Sequence, residues 1–433
     1  MLRDTGLFER PKSGERAVLV HLDLGSDHGD VLLAEFAELA RAAGAEVLDT
    51  VRGSRRIPEA RYFIGEGKAA EVGERVKALN ADLVLVNHAL SPSQERNLEK
   101  LLSCRVLDRT GLILDIFAQR ARTFEGKLQV ELAQHRHLAT RLVRGWTHLE
   151  RQRGGSIGLR GPGETQLEID RRLIGKRIDM LEKRLDRVGD QREQGRRTRQ
   201  RHDVPTVSVV GYTNAGKSTL FNALTGARVL AADQLFATLD ATLRRLDLGD
   251  ATHAVLADTV GFIRDLPHDL VAAFRSTLQE TEEATLLLHV VDCGDPERDE
   301  YIETVNGVLT EIGADKVPQI EVFNKIDLTG QEAGVERGPD GRARRIWVSA
   351  VTGEGLGALR QEISAHLKSD TVHGWIRLSP AHGRARAAFF SLGAVRSEKD
   401  DAEGGYLLEV ELPRREYQKL CRREGLEPEA LTA

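Results

Sequence analysis

Residues 211–218 read Gly211-Tyr212-Thr213-Asn214-Ala215-Gly216-Lys217-Ser218, the pattern G-x-x-x-x-G-K-S, and those residue types point to phosphate chemistry. The glycines let backbone N–H groups turn inward on a chain of phosphates, Lys217 has the reach for the β and γ oxygens, and the Ser218 hydroxyl suits a magnesium ion. A second group closes the run Val255-Leu256-Ala257-Asp258-Thr259-Val260-Gly261. In this D-x-x-G, Asp258 would hold magnesium through a water and the Gly261 N–H would meet the γ-phosphate. A third group is Asn324-Lys325-Ile326-Asp327, spaced N-K-x-D. The Asp327 carboxylate can accept from guanine N1–H and the 2-amino group together, a pair of donors that adenine lacks. Lys325 would lie over the ring, and Asn324 would tie the base loop to the phosphate loop. In Ser349-Ala350-Val351, the Ala350 N–H would donate to guanine O6. The expected substrate is GTP rather than ATP.

The surrounding elements must present these groups at one edge of a sheet. Thr206 to Val210 is a β-branched run suited to a buried parallel strand, and Thr219 to Leu224 has helical apolar spacing. Ile320 to Phe323 leads into the N-K-x-D group, and Ile346 to Val348 into Ser349. D-x-x-G is common in turns and S-A carries almost no information alone. The weight lies in four motifs in the right order, three of them at the ends of predicted strands. Gly226 to Thr242 occupies the place of a first switch loop. Within Phe236-Ala237-Thr238-Leu239-Asp240, Thr238 is the choice for a hydroxyl reaching magnesium and an N–H reaching the γ-phosphate, with Thr242 the alternative on spacing. Nucleotide contacts are thus expected from residues 211–219, 236–240, 258–261, 324–327 and 349–351. Lys217, Thr238 and Gly261 carry the catalytic roles, and Ser218, Thr238 and, through water, Asp258 hold the metal. Position 262, where many hydrolytic GTPases place a water-orienting glutamine, is Phe262. Slow intrinsic hydrolysis is expected, with water positioned by another group or by a bound partner.

A chain of 433 residues is too long for one ordinary core and predicts several domains. The net charge of −5 gives no global nucleic-acid signature, so a basic surface must be local. Cys104, Cys293 and Cys421 form neither a metal spacing nor a disulfide framework, which fits a reducing compartment. No apolar run approaches the roughly 20 residues that span a bilayer, and no signal-peptide core is evident. A cytoplasmic location is expected.

Residues 1–111 read as a small α/β domain, with strands at Ala17 to Leu22, Glu46 to Leu48 and Leu83 to Val86 alternating with helices. Ser91 or Ser93 would cap the helix that runs to Leu102, with Pro92 in its first turn. Gly65-Glu66-Gly67-Lys68 lacks the full phosphate-loop pattern and reads as a turn before a helix. Residues 112–202 turn helical and basic, with apolar spacing for two helices paired antiparallel as a hairpin. Arg171 to Arg201 holds twelve Lys/Arg against five Asp/Glu. Such a run is either a solvated helix face or an RNA-facing stripe. The connection from Arg151 to Glu164 carries five glycines, Pro162 and three arginines, more than a passive reversal needs. Glycine permits close backbone approach and arginine grips phosphates, so RNA contact through Arg151, Arg153 and Arg160 is preferred over a flexible linker. Residues 203–370 form the nucleotide domain. Residues 371–433 read as a compact α+β module whose basic residues, Arg384 and Arg386 among them, are a solvated face.

Several stretches are specific to one family: Arg109-Thr110-Gly111-Leu112-Ile113-Leu114-Asp115-Ile116-Phe117, Glu125 through Gln134, Gly158 through Glu168, and Leu235 through Asp240. On these the chain resembles the HflX-type ribosome-associated GTPases of the Obg-HflX group, over nearly its whole length. One departure is Ala241, where such proteins commonly carry proline; it removes no ligand. The resemblance implies a P-loop GTPase domain of α/β fold, with an N-terminal α/β domain, a helical-hairpin linker and a small C-terminal module. It also implies a magnesium-dependent monomer that binds GTP and GDP. The 50S ribosomal subunit and its rRNA would be the partners, approached by loop 153–164 near the peptidyl-transferase region, and stalled or idle ribosomes would be split. A GTP-gated assembly or storage factor is the alternative.

Overall fold

The computed structural model describes residues 14–25, 28–141, 166–201, 204–226, 235–236, 238–239, 242–249, 253–264, 275–369, 371–401, 404–426 and 431–432. The chain divides into two compact units. The first comprises Met1–Gly189 together with Leu230–Asp240 and Val260–Leu278; the second comprises Asp190–Val229, Ala241–Thr259 and Gln279–Ala433. Two short stretches of the expected nucleotide domain therefore group with the N-terminal half.

The first unit begins β1 (Arg16–Asp23), α1 (Gly29–Ala42), β2 (Glu46–Ser54), α2 (Glu66–Leu79), β3 (Leu83–Val86), α3 (Pro92–Leu102), β4 (Arg105–Asp108), α4 (Arg109–Arg120) and α5 (Phe124–Arg141). Its four strands are parallel in the order β2-β1-β3-β4. Parallel strands are buried on both faces, which is why β1 and β3 are nearly continuous apolar runs. Val18, Val20, Val84 and Val86 pack there with Val72 and Leu98 from the helices. Ser91 caps α3 through a capping box: its hydroxyl accepts from Gln94 N–H at 3.3 Å, and Gln94 Oε1 accepts from Ser91 N–H at 2.9 Å. Gly65, at φ +90°, precedes α2, and Lys68 pairs with Glu71 at 2.8 Å. α6 (Gln166–Arg201) carries Ile178, Leu181 and Leu185 onto Leu128 and Leu132 of α5. Its charges find partners across that seam, Glu182 with Arg136 at 2.7 Å and Arg177 with Glu131, rather than only along the helix.

The second unit continues with β5 (Thr206–Gly211), α7 (Lys217–Thr225), β6 (Thr242–Asp247) and β7 (His253–Asp258). After α8 (Arg275–Glu282), which spans the boundary, come β8 (Leu286–Asp292), α9 (Arg298–Glu311), β9 (Gln319–Asn324), α10 (Ile326–Thr329), β10 (Gly334–Arg337), β11 (Ala343–Trp347) and α11 (Leu356–Ser369). The seven-stranded sheet runs β10-β11-β9-β8-β5-β7-β6, parallel in its centre and antiparallel at both edges. β5 lies between β8 and β7, so the phosphate-loop pattern emerges from the middle of the sheet at its carboxyl end. The remaining residues form β12 (Thr371–Leu378), α12 (Gly383–Ser391), β13 (Val395–Asp400), β14 (Tyr406–Pro413), α13 (Arg414–Glu424) and β15 (Leu431–Thr432). They make an antiparallel sheet in the order β13-β14-β12-β15 over its own core of Ile376, Phe389, Leu408 and Leu420. Arg386 pairs there with Glu398. Among the described residues no helix is long and apolar enough to cross a membrane.

Candidate active site

The phosphate loop has the shape its glycines require. Gly211 ends β5 at φ +147°, where a Cβ would run into the Val290 carbonyl of β8. Gly216 lies at φ +92°, and a Cβ there would collide with Asn324 Nδ2. Asn214 also takes a left-handed conformation, φ +60°. α7 opens at Gly216, so Lys217, Ser218 and Thr219 stand in its first turn, where N–H groups lack intrahelical partners and favour an anion. Tyr212 stacks on Tyr301 of α9, ring centroids 4.0 Å apart, bracing the loop from outside.

Two of these side chains meet partners relevant to phosphate and metal. Lys217 is buried and its Nζ donates to the Tyr212 carbonyl at 2.7 Å. Burial pulls the ammonium down to about 8, against which the nearby Asp258 carboxylate acts. The Ser218 hydroxyl donates to Asp258 Oδ2 at 3.0 Å, and Asp258 ends β7 with no solvent exposure. A hydroxyl and a carboxylate brought together are hard oxygen donors of the kind magnesium takes, so the residues fit that ion. Thr259, among the expected nucleotide contacts, uses its side chain within the sheet. Its hydroxyl donates to the Val209 carbonyl of β5 at 2.6 Å and is fully buried, so it braces two strands and leaves only backbone for a ligand.

The groups expected to read the base are joined through Asn324, which is 2% exposed. Its Nδ2 donates to the Ala215 carbonyl in the phosphate loop at 3.0 Å, and its Oδ1 accepts from the Ala350 N–H at 2.9 Å. The Ala350 N–H, expected at guanine O6, is therefore engaged by Asn324 here. Asp327 is exposed, and one of its oxygens accepts from the Ser349 hydroxyl at 2.6 Å, which fixes the carboxylate plane. Lys325, at φ +70°, pairs with Asp292 Oδ2 at 2.7 Å. Asp292 was missed in the sequence; its signal was its place at the end of the apolar run Leu286 to Val291, hence at the carboxyl edge of the sheet. Ile326 is buried and Val351 is exposed.

In the first unit, Leu235, Phe236 and Leu239 are buried and Thr238 is half-buried. Val260, Gly261 and Phe262 are also buried there, Phe262 with 1% exposure, so that ring is a packing residue. Lys217, Ser218 and Asp258 belong to the second unit, Thr238 and Gly261 to the first. Ala237, Asp240 and the candidates Arg151, Arg153 and Arg160 lie outside the described residues. Arg109, which opens one of the family-specific stretches, reaches the Arg264 carbonyl at 3.1 Å within the first unit.

Family models and known proteins match this chain along most of its length. Residues 206–325 match a family model described as "50S ribosome-binding GTPase". Residues 30–118 and 120–199 match models described as the N-terminal and middle regions of a GTP-binding GTPase, and residues 335–432 match an HflX C-terminal domain. The GTPase HflX of Escherichia coli (strain K12) is 58% identical over 419 residues, covering 96% of this chain and 98% of that protein. The GTPase HflX of Magnetococcus marinus is 47% identical over 431 residues, 97% of this chain and 98% of that one. A crystal structure of a GTP-binding protein from Sulfolobus solfataricus in complex with GDP is 22% identical, with a TM-score of 0.43, covering 82% of this chain and 99% of that one.

Proposed function

The chain belongs to the HflX family of GTPases, and from that premise we propose that it binds the large (50S) ribosomal subunit and splits stalled or idle 70S ribosomes. Hydrolysis of GTP then resets the factor. The observation that carries this reading is the match of residues 206–325 to a model of 50S ribosome-binding GTPases. The Gly/Arg composition of residues 151–164 supports it, since arginine and bare backbone suit an RNA surface.

The residues divide the work as follows. Asp327, held flat by Ser349, accepts from the guanine edge, and Lys325, steadied by Asp292, lies against the base. Asn324 keeps base loop and phosphate loop at a fixed spacing. The first turn of α7 offers N–H groups to the phosphates, and Lys217 turns from the Tyr212 carbonyl to their oxygens. Ser218 and Asp258 would hold magnesium, which neutralises charge on the β and γ oxygens when bound. Thr238 and Gly261 are the groups that register the γ-phosphate. Phe262, buried and apolar, can neither donate to nor accept from a water, so hydrolysis without ribosomes is slow. Single-turnover hydrolysis tests that: acceleration by ribosomes is expected, and equal, fast rates with and without them contradict it. Sedimentation of 70S particles with the protein tests the larger reading. Free subunits are expected with a non-hydrolysable GTP analogue and intact particles with GDP; stable association with intact or precursor particles would instead indicate an assembly or storage factor.

A further inference from the structure

We propose that Arg109 and Phe117, both on α4, are positioning residues for GTP hydrolysis, acting through the segments that carry Thr238 and Gly261 rather than by touching nucleotide. All the groups concerned belong to the first unit. Asp108 caps α4 by accepting from the Gly111 N–H at 2.8 Å, and Arg141, the last residue of α5, grips the same carboxylate at 2.6 Å. These side chains are buried, so the start of α4 is fixed. Arg109 comes next. Its guanidinium pairs with Glu35 of α1, donates to Asn87 Oδ1 at 2.9 Å beyond β3, and donates from Nη2 to the Arg264 carbonyl at 3.1 Å. A rigid planar fork with five donors holds acceptors from three separate stretches in one plane, whereas the three donors of an ammonium are tetrahedral and set no plane.

Further along the same helix, the buried Phe117 ring meets Phe236 edge to face, with centroids 4.6 Å apart and planes at 87°. Phe236 sits at φ +57°, a conformation that bulky L residues rarely adopt, so the surrounding packing must over-determine it. One helix thus holds the residue two before Thr238 and the carbonyl three after Gly261. Release of either hold loosens the segments that carry those two residues and, on the reading under Proposed function, lowers the rate of hydrolysis. The sign of this effect rests on the reading of Thr238 given above.

The test uses the full chain with Phe117→Leu, Phe236→Leu, the double variant, Arg109→Lys and Thr238→Ala, each checked by thermal melting. Steady-state kcat and KM for GTP are measured alongside the Kd of a fluorescent GDP. Expected are a kcat at least threefold lower in Phe117→Leu, Phe236→Leu and Arg109→Lys, with GDP affinity within twofold of wild type. The double variant should be no slower than the slower single, because both singles remove one contact. Wild-type kcat in the folded singles, multiplicative losses in the double, or parallel losses of kcat and GDP affinity would each overturn the positioning role. Two readings are separated by Thr238→Ala. A fall there but not in Phe117→Leu overturns the positioning role alone; a fall in neither overturns both; a fall in Phe117→Leu alone keeps the positioning role and removes Thr238 as the ligand.

Discussion

Replacing Asn324 by alanine should uncouple the two halves of the nucleotide site. The side chain is almost wholly buried and makes two hydrogen bonds of good length, to the Ala215 carbonyl at 3.0 Å and from the Ala350 N–H at 2.9 Å. Truncation leaves two buried backbone groups without a partner at about 1–3 kcal/mol each, so it should cost about 3 kcal/mol. Because the loops are then no longer held in register before binding, most of that loss should appear as nucleotide affinity, roughly a hundredfold in Kd. The assay is titration of a fluorescent GDP into wild type and Asn324→Ala, with circular dichroism to establish that both are folded. Asn324→Asp is the companion variant: it keeps the acceptor for Ala350 but sets a carboxylate against the Ala215 carbonyl, and should be at least as damaging. A folded Asn324→Ala protein with GDP affinity within threefold of wild type would refute the coupling.

Other residues give sharper chemical signatures. Asp327→Asn replaces an acceptor by an amide donor, so preference should move from guanine toward xanthine nucleotides; an unchanged GTP/XTP ratio refutes the base assignment. Burial lowers the Lys217 ammonium to about 8, so above that pH the empty site holds a neutral amine. Phosphate charge raises the value again, so GDP binding at about pH 9 should take up a proton and binding at about pH 6.5 should take up almost none. Calorimetry in buffers of different ionisation enthalpy reads this directly, and pH-independent uptake would argue against it. Replacing Arg153 and Arg160 by alanine should weaken association with the large subunit and reduce its salt dependence while GDP affinity stays unchanged. Association that survives moderate salt in that variant would show that the loop is not the anchor.

The parts of the site that the sequence makes legible are those whose chemistry depends on local spacing. Gly211 and Gly216 demand positive φ, Ser218 follows Lys217 into a helix, and N-K-x-D presents its groups from one strand end. What stayed hidden depends on distant partners. Nothing in Asp258-Thr259-Val260-Gly261 shows that the Thr259 hydroxyl turns to Val209, and nothing near Ala350 shows that Asn324 claims its N–H. β4 has four residues, with Arg105 and Asp108 at its ends, too little apolar pattern for recognition as a strand. α4 was harder still. Arg109 and Asp115 are buried, against the ordinary rule for charge, because Glu35, Asn87 and Arg264 surround Arg109 from remote positions. Position 262 could be read as chemically inert from its identity alone, but its role as packing follows only from its burial.

The central claim is that the GTP-bound protein separates ribosomal subunits, and light scattering from purified 70S ribosomes mixed with the full chain tests it most directly. With a non-hydrolysable GTP analogue the scattering should fall toward that of free subunits, and with GDP it should stay at its starting level. Unchanged scattering with the analogue, under conditions where the protein is bound to the particles, would contradict the claim.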